Sequence, residues 1–292
     1  MHNFTGRIAV ITGAGSGIGR GLALALAAED CDLALIDINP AAIDETARQC
    51  AEVSDIAVST HECDVADAAA VERTADAVRG AHGVEHVNVL VNNAGIGSVE
   101  GFVHGDRAAW ELTFDVCWGG VYHCCRSFVP LIVAADEGLI VNVSSVNGMW
   151  ASLGPNRTHT SYSAAKFAVR GFTEALLTEM RLVAPHVKVA VVMPGHIGTN
   201  ILSNSQAQMG RRPTANLAET EAAFQASAPT TPAEAARVIL DGVRAGRWRI
   251  LVGADAELLD GSLRADPEGA YEPSFVEQLH EQGAFVGLID PV

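Results

Sequence analysis

The sequence predicts a single doubly wound α/β domain built on a seven-stranded, mainly parallel sheet. Three observations lead there. Short apolar runs rich in β-formers alternate with longer Ala-rich segments along most of the chain. A glycine-rich turn follows the first apolar run, and an acid ends the second. Hydrophobic residues make up 49% of the 292 positions, and the mean hydropathy is +0.20, as strands buried on both faces require.

In chain order, the candidate strands are 7–12, 32–37, 56–61, 87–91, 139–144, 187–192 and 249–252. Between them lie amphipathic segments, among them 19–29, 40–51, 67–81, 112–133 and 163–183. This alternation implies βαβ units, and right-handed crossovers then favour the doubly wound arrangement. No linker rich in Pro, Gly or Ser divides residues 1–292, so one domain is expected, with its core at about 5–253. Two segments stand outside the series. The polar stretch at about 200–231 is long for a connection in a compact domain and reads as a lid over a site. The tail at about 254–292 mixes acids with Pro267, Pro273 and Pro291 and with apolar Phe275, Val276, Phe285 and Val286. It is compatible with wrapping the domain, meeting a neighbouring subunit or fraying.

The formal charge of −16 argues against nucleic acid or an anionic membrane as partner, since both select clustered Lys and Arg. The N-terminus lacks a cationic region followed by a long apolar stretch, and no apolar run reads as membrane-spanning. The six cysteines show no C-x-x-C spacing, and the adjacent Cys124 and Cys125 suit a disulfide poorly. Reduced thiols, a cytoplasmic location and no metal centre are therefore expected.

The first strand runs into Gly13, Ser16, Gly17, Ile18 and Gly19, after which a helix begins. Gly13 permits the tight turn, Gly17 lets the backbone approach a pyrophosphate, and Gly19 allows close packing of helix on strand. The helix N-terminus then offers free N–H groups to phosphate. Asp37 closes the second strand about twenty residues further on, where a carboxylate accepts the adenosine ribose hydroxyls and repels a 2′-phosphate. Neither Ser16 nor Ile38 supplies a cation, which points to NAD as the cofactor.

Further along, Ser144 and Ser145 close the fifth apolar run, and Tyr162 and Lys166 follow four positions apart. Positions i and i+4 share a helix face. An ammonium one turn from a phenol, with a positive nicotinamide nearby, lowers a pKa that otherwise lies near 10. Such a phenol can exchange a proton with an alcohol or a carbonyl oxygen.

Taken together, the glycine turn, Asn92-Asn-Ala-Gly95, Ser144-Ser145, Tyr162-x-x-x-Lys166 and Pro194-Gly-His-Ile-Gly-Thr199 resemble the short-chain dehydrogenase/reductase family over roughly residues 5–253. The glycine spacing G-x-x-x-G-x-G fits that family, whereas the commoner Rossmann pattern fails because Ile18 stands at its third glycine. The resemblance implies a Rossmann-like fold with Ser145, Tyr162 and Lys166 as catalytic residues. It implies cofactor contacts by Tyr162 and Lys166, by Asp64 and Val65 after the third strand, by Gly95, and by Ile197 and Thr199 near the carboxamide. Asn93 is compatible with either bracing strands or touching cofactor. The resemblance also implies a homotetramer. One departure stands out: Cys117 occupies the position where the family places an asparagine that helps hold a water beside the lysine. A thiol is a weaker hydrogen-bonding partner. Asp115, two residues away, would face elsewhere.

The substrate pocket is expected to be lined by Gly97, Ser98, Val146, Met149, Trp150 and residues beyond Thr199, with Leu153 and Pro155 in the loop before the tyrosine. Those residues suggest a small, hydrophobic secondary alcohol or ketone such as a terpenoid, steroid-like or aryl compound. Three readings follow: an NAD-dependent dehydrogenase, a reductase working mainly in the opposite direction, and a cofactor-sensing protein that has lost catalysis.

Overall fold

The computed structural model describes residues 1, 3–97, 101–152, 154, 157–212, 215–286 and 288. The strands are β1 (Ile8–Thr12), β2 (Asp32–Asp37), β3 (Val58–Glu62), β4 (Val89–Asn92), β5 (Gly138–Val143), β6 (Val187–Pro194) and β7 (Arg249–Val252). They form one seven-stranded sheet in the order β3-β2-β1-β4-β5-β6-β7, and every pairing is parallel. The predicted sheet is therefore present, without an antiparallel strand. The helices are α1 (Gly17–Ala27), α2 (Pro40–Val53), α3 (Ala68–His82), α4 (Arg107–Phe114), α5 (Gly120–Val133) and α6 (Thr160–Val183). Then come α7 (Ile201–Gln208), α8 (Leu217–Ser227), α9 (Pro232–Arg244), α10 (Ala254–Ala265) and α11 (Pro273–Glu281).

Strand alternation divides the core. In β1, Ala9 and Ile11 face Leu22 and Leu26 of α1 and Ile239 of α9, while Ile8 and Val10 face the layer of α3, α5 and α6. Burial on both faces is why these strands read as unbroken apolar runs. The strand order reverses between β1 and β4, which opens a crevice at their carboxyl ends. Buried amides stitch the far side of that crevice. The Asn92 side chain donates to Asn142 Oδ1 at 2.8 Å, and Asn142 donates to Thr173 Oγ1 on α6 at 3.0 Å.

The run Arg107–Val133 corrects the expectation that no segment is membrane-like. By length and composition it is apolar enough to cross a bilayer, with a mean hydropathy of 1.2 in its most apolar window. Here it is α4, a five-residue π-helical turn at Asp115–Gly119 and α5, laid along the sheet with 44% of that window buried. All six cysteines are free and buried.

The tail, which the sequence left open, folds onto the body. Trp150 is 2% exposed, donates its indole N–H to the Ala270 carbonyl at 2.8 Å and packs on Phe275 at 5.5 Å. Tyr271 adds a second tie, its hydroxyl accepting the Ala151 amide at 3.1 Å. Around them, Val276, Leu279, Leu259 and Phe285 build a third apolar cluster against β6 and Val146.

Candidate functional site

The crevice holds a cavity of about 1010 Å³ whose walls include the glycine turn, Asp37, Asp64, Val65, Asn93, Gly95, Ser145, Tyr162, Lys166, Ile197 and Thr199. Space of this size exceeds most single-ligand pockets. One end is formed by closely packed glycines. Gly13 and Gly17 lie in the left-handed region, with φ of +64° and +53°. A Cβ on Gly13 would stand 2.8 Å from the Ala94 backbone, and one on Gly17 would meet the Thr199 side chain at 3.1 Å. Gly19 is tighter still, since its Cβ would meet the Gly13 carbonyl. Helix α1 begins at Gly17, two residues earlier than expected, so its free N–H groups face the cleft.

Asp37 accepts the Gly15 amide at 2.9 Å and the Asn39 amide at 3.0 Å, which fixes its carboxylate at the cleft edge. Beneath the turn lies a cation that the sequence reading missed. Arg20 donates to Thr46 Oγ1 at 2.9 Å and to the Gly15 and Ala42 carbonyls. Its guanidinium is tied to backbone, and it does not line the cavity. Asn93 braces the turn, its amide donating to the Thr12 and Gly13 carbonyls at 3.0 and 3.2 Å, and it also lines the cavity. His123, also unforeseen, donates from Nδ1 to the Val65 carbonyl at 3.0 Å and steadies that corner.

At the other end the serine pair divides its work. Ser144 donates to the Lys166 carbonyl at 2.7 Å, leaving Ser145 to face the cleft. Lys166 is 3% exposed, donates from Nζ to the Val143 carbonyl at 3.0 Å and lies 5.5 Å from the centre of the Tyr162 ring. Burial pushes the Tyr162 phenol up from its ordinary pKa; the Lys166 ammonium and Ser145 hydroxyl oppose that rise, and the Cys117 thiol adds to it. The lysine therefore acts in the expected direction, but burial outweighs it in the protein alone. Cys117 sits beside this group: a Cβ on Gly95 would find Lys166 Nζ at 3.4 Å and Cys117 Sγ at 3.6 Å. Its thiol donates to the Ile96 carbonyl at 3.3 Å from within the π-helical turn, while Asp115 is exposed on another side.

Val146, Trp150 and Gly97 line the cavity as expected, whereas Met149 packs into the tail cluster beside Arg249. Ser98, Leu153 and Pro155 lie outside the described residues. The segment expected to form a lid contains α7 and α8, which contribute Ile201, Leu202 and Phe224 to the walls, and the tail adds Phe285 and Leu288. Asn204 of α7 donates to the Ser16 hydroxyl at 2.9 Å, and Ser205 accepts the Gly97 amide at 2.8 Å, so α7 spans the two sides of the cleft. His196 is buried, 4.3 Å from the Phe224 ring, as a wall residue.

His159 had drawn no attention in the sequence. It is 3% exposed, stacks on Tyr162 at 6.2 Å and lies 3.4 Å from Ser163 Oγ. Burial pulls its pKa down from 6.5 to about 4, against a smaller opposing effect of the Ser152 backbone.

The sequence profile of the short chain dehydrogenase family matches residues 7–210. The chain is 40% identical over 263 residues to SadH of Mycobacterium tuberculosis, described as an oxidoreductase, covering 89% of this chain and 91% of that one. Among solved structures, it resembles carveol dehydrogenase from Mycobacterium avium in complex with NAD, with a TM-score of 0.71, 26% identity and coverage of 88% and 100%. It also resembles a metagenomic short-chain oxidoreductase in complex with NADP, with a TM-score of 0.65, 25% identity and coverage of 85% and 97%.

One consequence of the buried imidazole is measurable. Below pH 6.5 the unfolded chain binds a proton at His159 that the folded chain refuses until about pH 4. Folding stability should therefore fall across that window as pH drops, by at most about 1.4 kcal/mol per pH unit from this group. Urea unfolding of wild type and His159→Gln at pH 7.5, 6 and 5 tests this. The wild type should lose more stability than the variant, and parallel losses would refute the assignment.

Proposed function

The chain belongs to the short chain dehydrogenase family, and from that premise we propose that it is an NAD-dependent oxidoreductase acting on a hydrophobic secondary alcohol or ketone. The observation that carries the reading is the cluster of Ser145, Tyr162 and Lys166 at the inner end of a cavity whose other end has the form of a nucleotide cradle. The residues present fit a nicotinamide dinucleotide. Gly13, Ser16, Gly17, Ile18 and Gly19 would receive the pyrophosphate at the start of α1. Asp37 would hold the adenosine ribose, Asp64 and Val65 would border the adenine side, Gly95 would lie against the cofactor near Lys166, and Ile197 and Thr199 would hold the carboxamide. When bound, the nicotinamide ring supplies the hydride acceptor or donor.

The chain's own groups handle the proton. In oxidation the Tyr162 oxygen takes the hydroxyl proton of the alcohol, and in reduction it returns a proton to the carbonyl oxygen. Lys166 lowers the cost of the phenolate in a site where burial raises it. Ser145 hydrogen-bonds the substrate oxygen as its charge changes. Cys117, bonded to the Ile96 carbonyl, leaves the proton route from Lys166 to be completed by water rather than by a side-chain amide.

The preference for NAD rests on Asp37 at the cleft edge and on Arg20 being tied to backbone carbonyls. That one related structure holds NADP makes this a point for measurement. The apolar substrate class is supported by Ile201, Leu202, Phe224, Phe285 and Leu288 in the walls, and by the resemblance to an enzyme named for carveol. Segment 200–231 is proposed as the lid. Free buried thiols fit a reducing, cytoplasmic setting. A tetramer is proposed because Tyr122, Phe167 and Leu182 leave apolar surface exposed on α5 and α6.

Three measurements follow. A panel of apolar secondary alcohols with NAD, read by reduced-nicotinamide absorbance, should find turnover. On its best member Tyr162→Phe should lose about 10²-fold or more in kcat while binding NAD normally, and Lys166→Ala should lose both. Near-normal turnover by Tyr162→Phe would exclude the mechanism. NAD should bind at least about tenfold more tightly than NADP, a gap of about 1.4 kcal/mol, and Asp37→Ala should narrow it. Equal dissociation constants in the wild type would reverse the cofactor assignment. Sedimentation at micromolar concentration should show a tetramer, and a monomer alone would remove that proposal.

A further inference from the structure

The segment Pro194–Thr199, which carries Ile197 and Thr199, leaves β6 and hangs from few points. The Gly195 amide donates to the Val252 carbonyl at 2.9 Å, and the Gly198 amide donates to the Thr230 carbonyl at 3.0 Å. Between these two backbone ties, the His196 amide donates to Asp255 Oδ2 at 2.6 Å. Asp255 belongs to the tail, near the start of α10, and is 4% exposed. Its Oδ1 accepts the Ala256 amide at 3.0 Å.

The surroundings are shaped to this carboxylate. A Cβ on Gly195 would stand 2.3 Å from both of its oxygens, and one on Gly253 would stand 2.4 Å from Oδ1. Gly253 also has φ of +103°, which side chains rarely adopt. Favouring an acid at a helix start explains only part of this, because an exposed acid such as Glu257 serves that end equally well. Burying a carboxylate is costly unless its oxygens are paired, and both oxygens here accept amides, one of them from the loop.

We propose that Asp255 is a positioning residue for hydride transfer: it fixes the His196 amide, and through it the neighbouring groups of Ile197 and Thr199 that face the nicotinamide half of the cofactor. This rests on the cofactor reading above. Besides Asp255, the loop is held over this stretch by backbone bonds, with Ile197 bridged to Thr230, and at its far end by the Gln225 side chain, which donates to the Thr199 carbonyl at 3.4 Å. The tail thus contributes to the site through a residue that touches neither substrate nor cofactor.

Asp255→Asn keeps the size and turns one acceptor into a donor, so one of the two amides loses its partner. The test titrates wild type and variant with NAD and with ADP-ribose, which has the adenosine and pyrophosphate but no nicotinamide. The variant should bind NAD about tenfold more weakly, the scale of one charge-assisted hydrogen bond, and bind ADP-ribose within about twofold of wild type. Equal weakening toward both ligands, or none toward either, would overturn the proposal while leaving the cofactor reading intact. A wild type that binds neither nucleotide would remove both. If the variant does not fold, amide exchange in the wild type decides. The His196 amide should be protected like those of β6 and slow further with NAD but not with ADP-ribose; free exchange, or equal slowing by both, overturns the assignment.

Discussion

Everything chemical in this protein depends on the seam where the carboxyl end of β5 meets α6. A buried lysine needs partners for its ammonium, and Lys166 finds one in the Val143 carbonyl. The same residue's backbone carbonyl accepts the Ser144 hydroxyl, and Gly148 packs so closely that a Cβ would stand 2.2 Å from Ser144 Oγ and 2.8 Å from the Lys166 carbonyl oxygen. Two turns further along α6, Asn142 bonds Thr173 and is itself bonded by Asn92. These contacts lock the helix to the strand in one register. Ser145, leaving the strand, and Tyr162, entering the helix, then face one cleft although seventeen residues separate them. A buried polar seam of this kind tolerates little error, since each lost partner leaves a desolvated group unpaired.

Burial also sets the electrostatic character of the cleft. Tyr162 and Asp255 are pushed up and His159 is pulled down to about 4, each mainly by loss of water, so all three shifts favour the neutral form. Lys166, tied to a carbonyl, stands close to the phenol. With little water to screen it, its field at the phenol is stronger than it would be at a surface. The net charge of −16 says nothing of this, because among the described residues every acid except Asp255 is at least partly exposed.

The sheet was legible in the sequence because parallel strands buried on both faces leave continuous apolar runs, and all seven began within two residues of the expected position. The edge strand β3 was read from Ile56, whereas pairing begins at Val58, since its sequence VSTHE is polar at four of five positions and partly exposed. β6 extends to Pro194 because β7 pairs with its last residues, a fact that no local pattern contains. The same distinction separates the site residues. Tyr162 and Lys166 could be paired by helical periodicity, and the glycines by their spacing. His123, Asn204 and Asp255 act on residues 58, 188 and 59 positions away, and their types carry no local signature. Met149 was read as pocket because it follows Ser145, but the tail supplies the surface that buries it. Trp150 does both, lining the cavity and packing on the tail.

The bond from Trp150 to Ala270 also bears on the order in which the molecule comes into being. It closes a loop of 120 residues, and contacts that distant in sequence repay their closure entropy only after the intervening chain has organised. During synthesis, every strand of the sheet and all of Ser145, Tyr162 and Lys166 precede the tail. Domains of this size gain structure progressively as the chain lengthens. The loop between serine and tyrosine, and the segment after β6, receive their last anchors from residues translated at the end. Competence of the cleft is thus acquired later than the fold that carries it, and a chain arrested before residue 255 would hold the chemical groups without their final alignment.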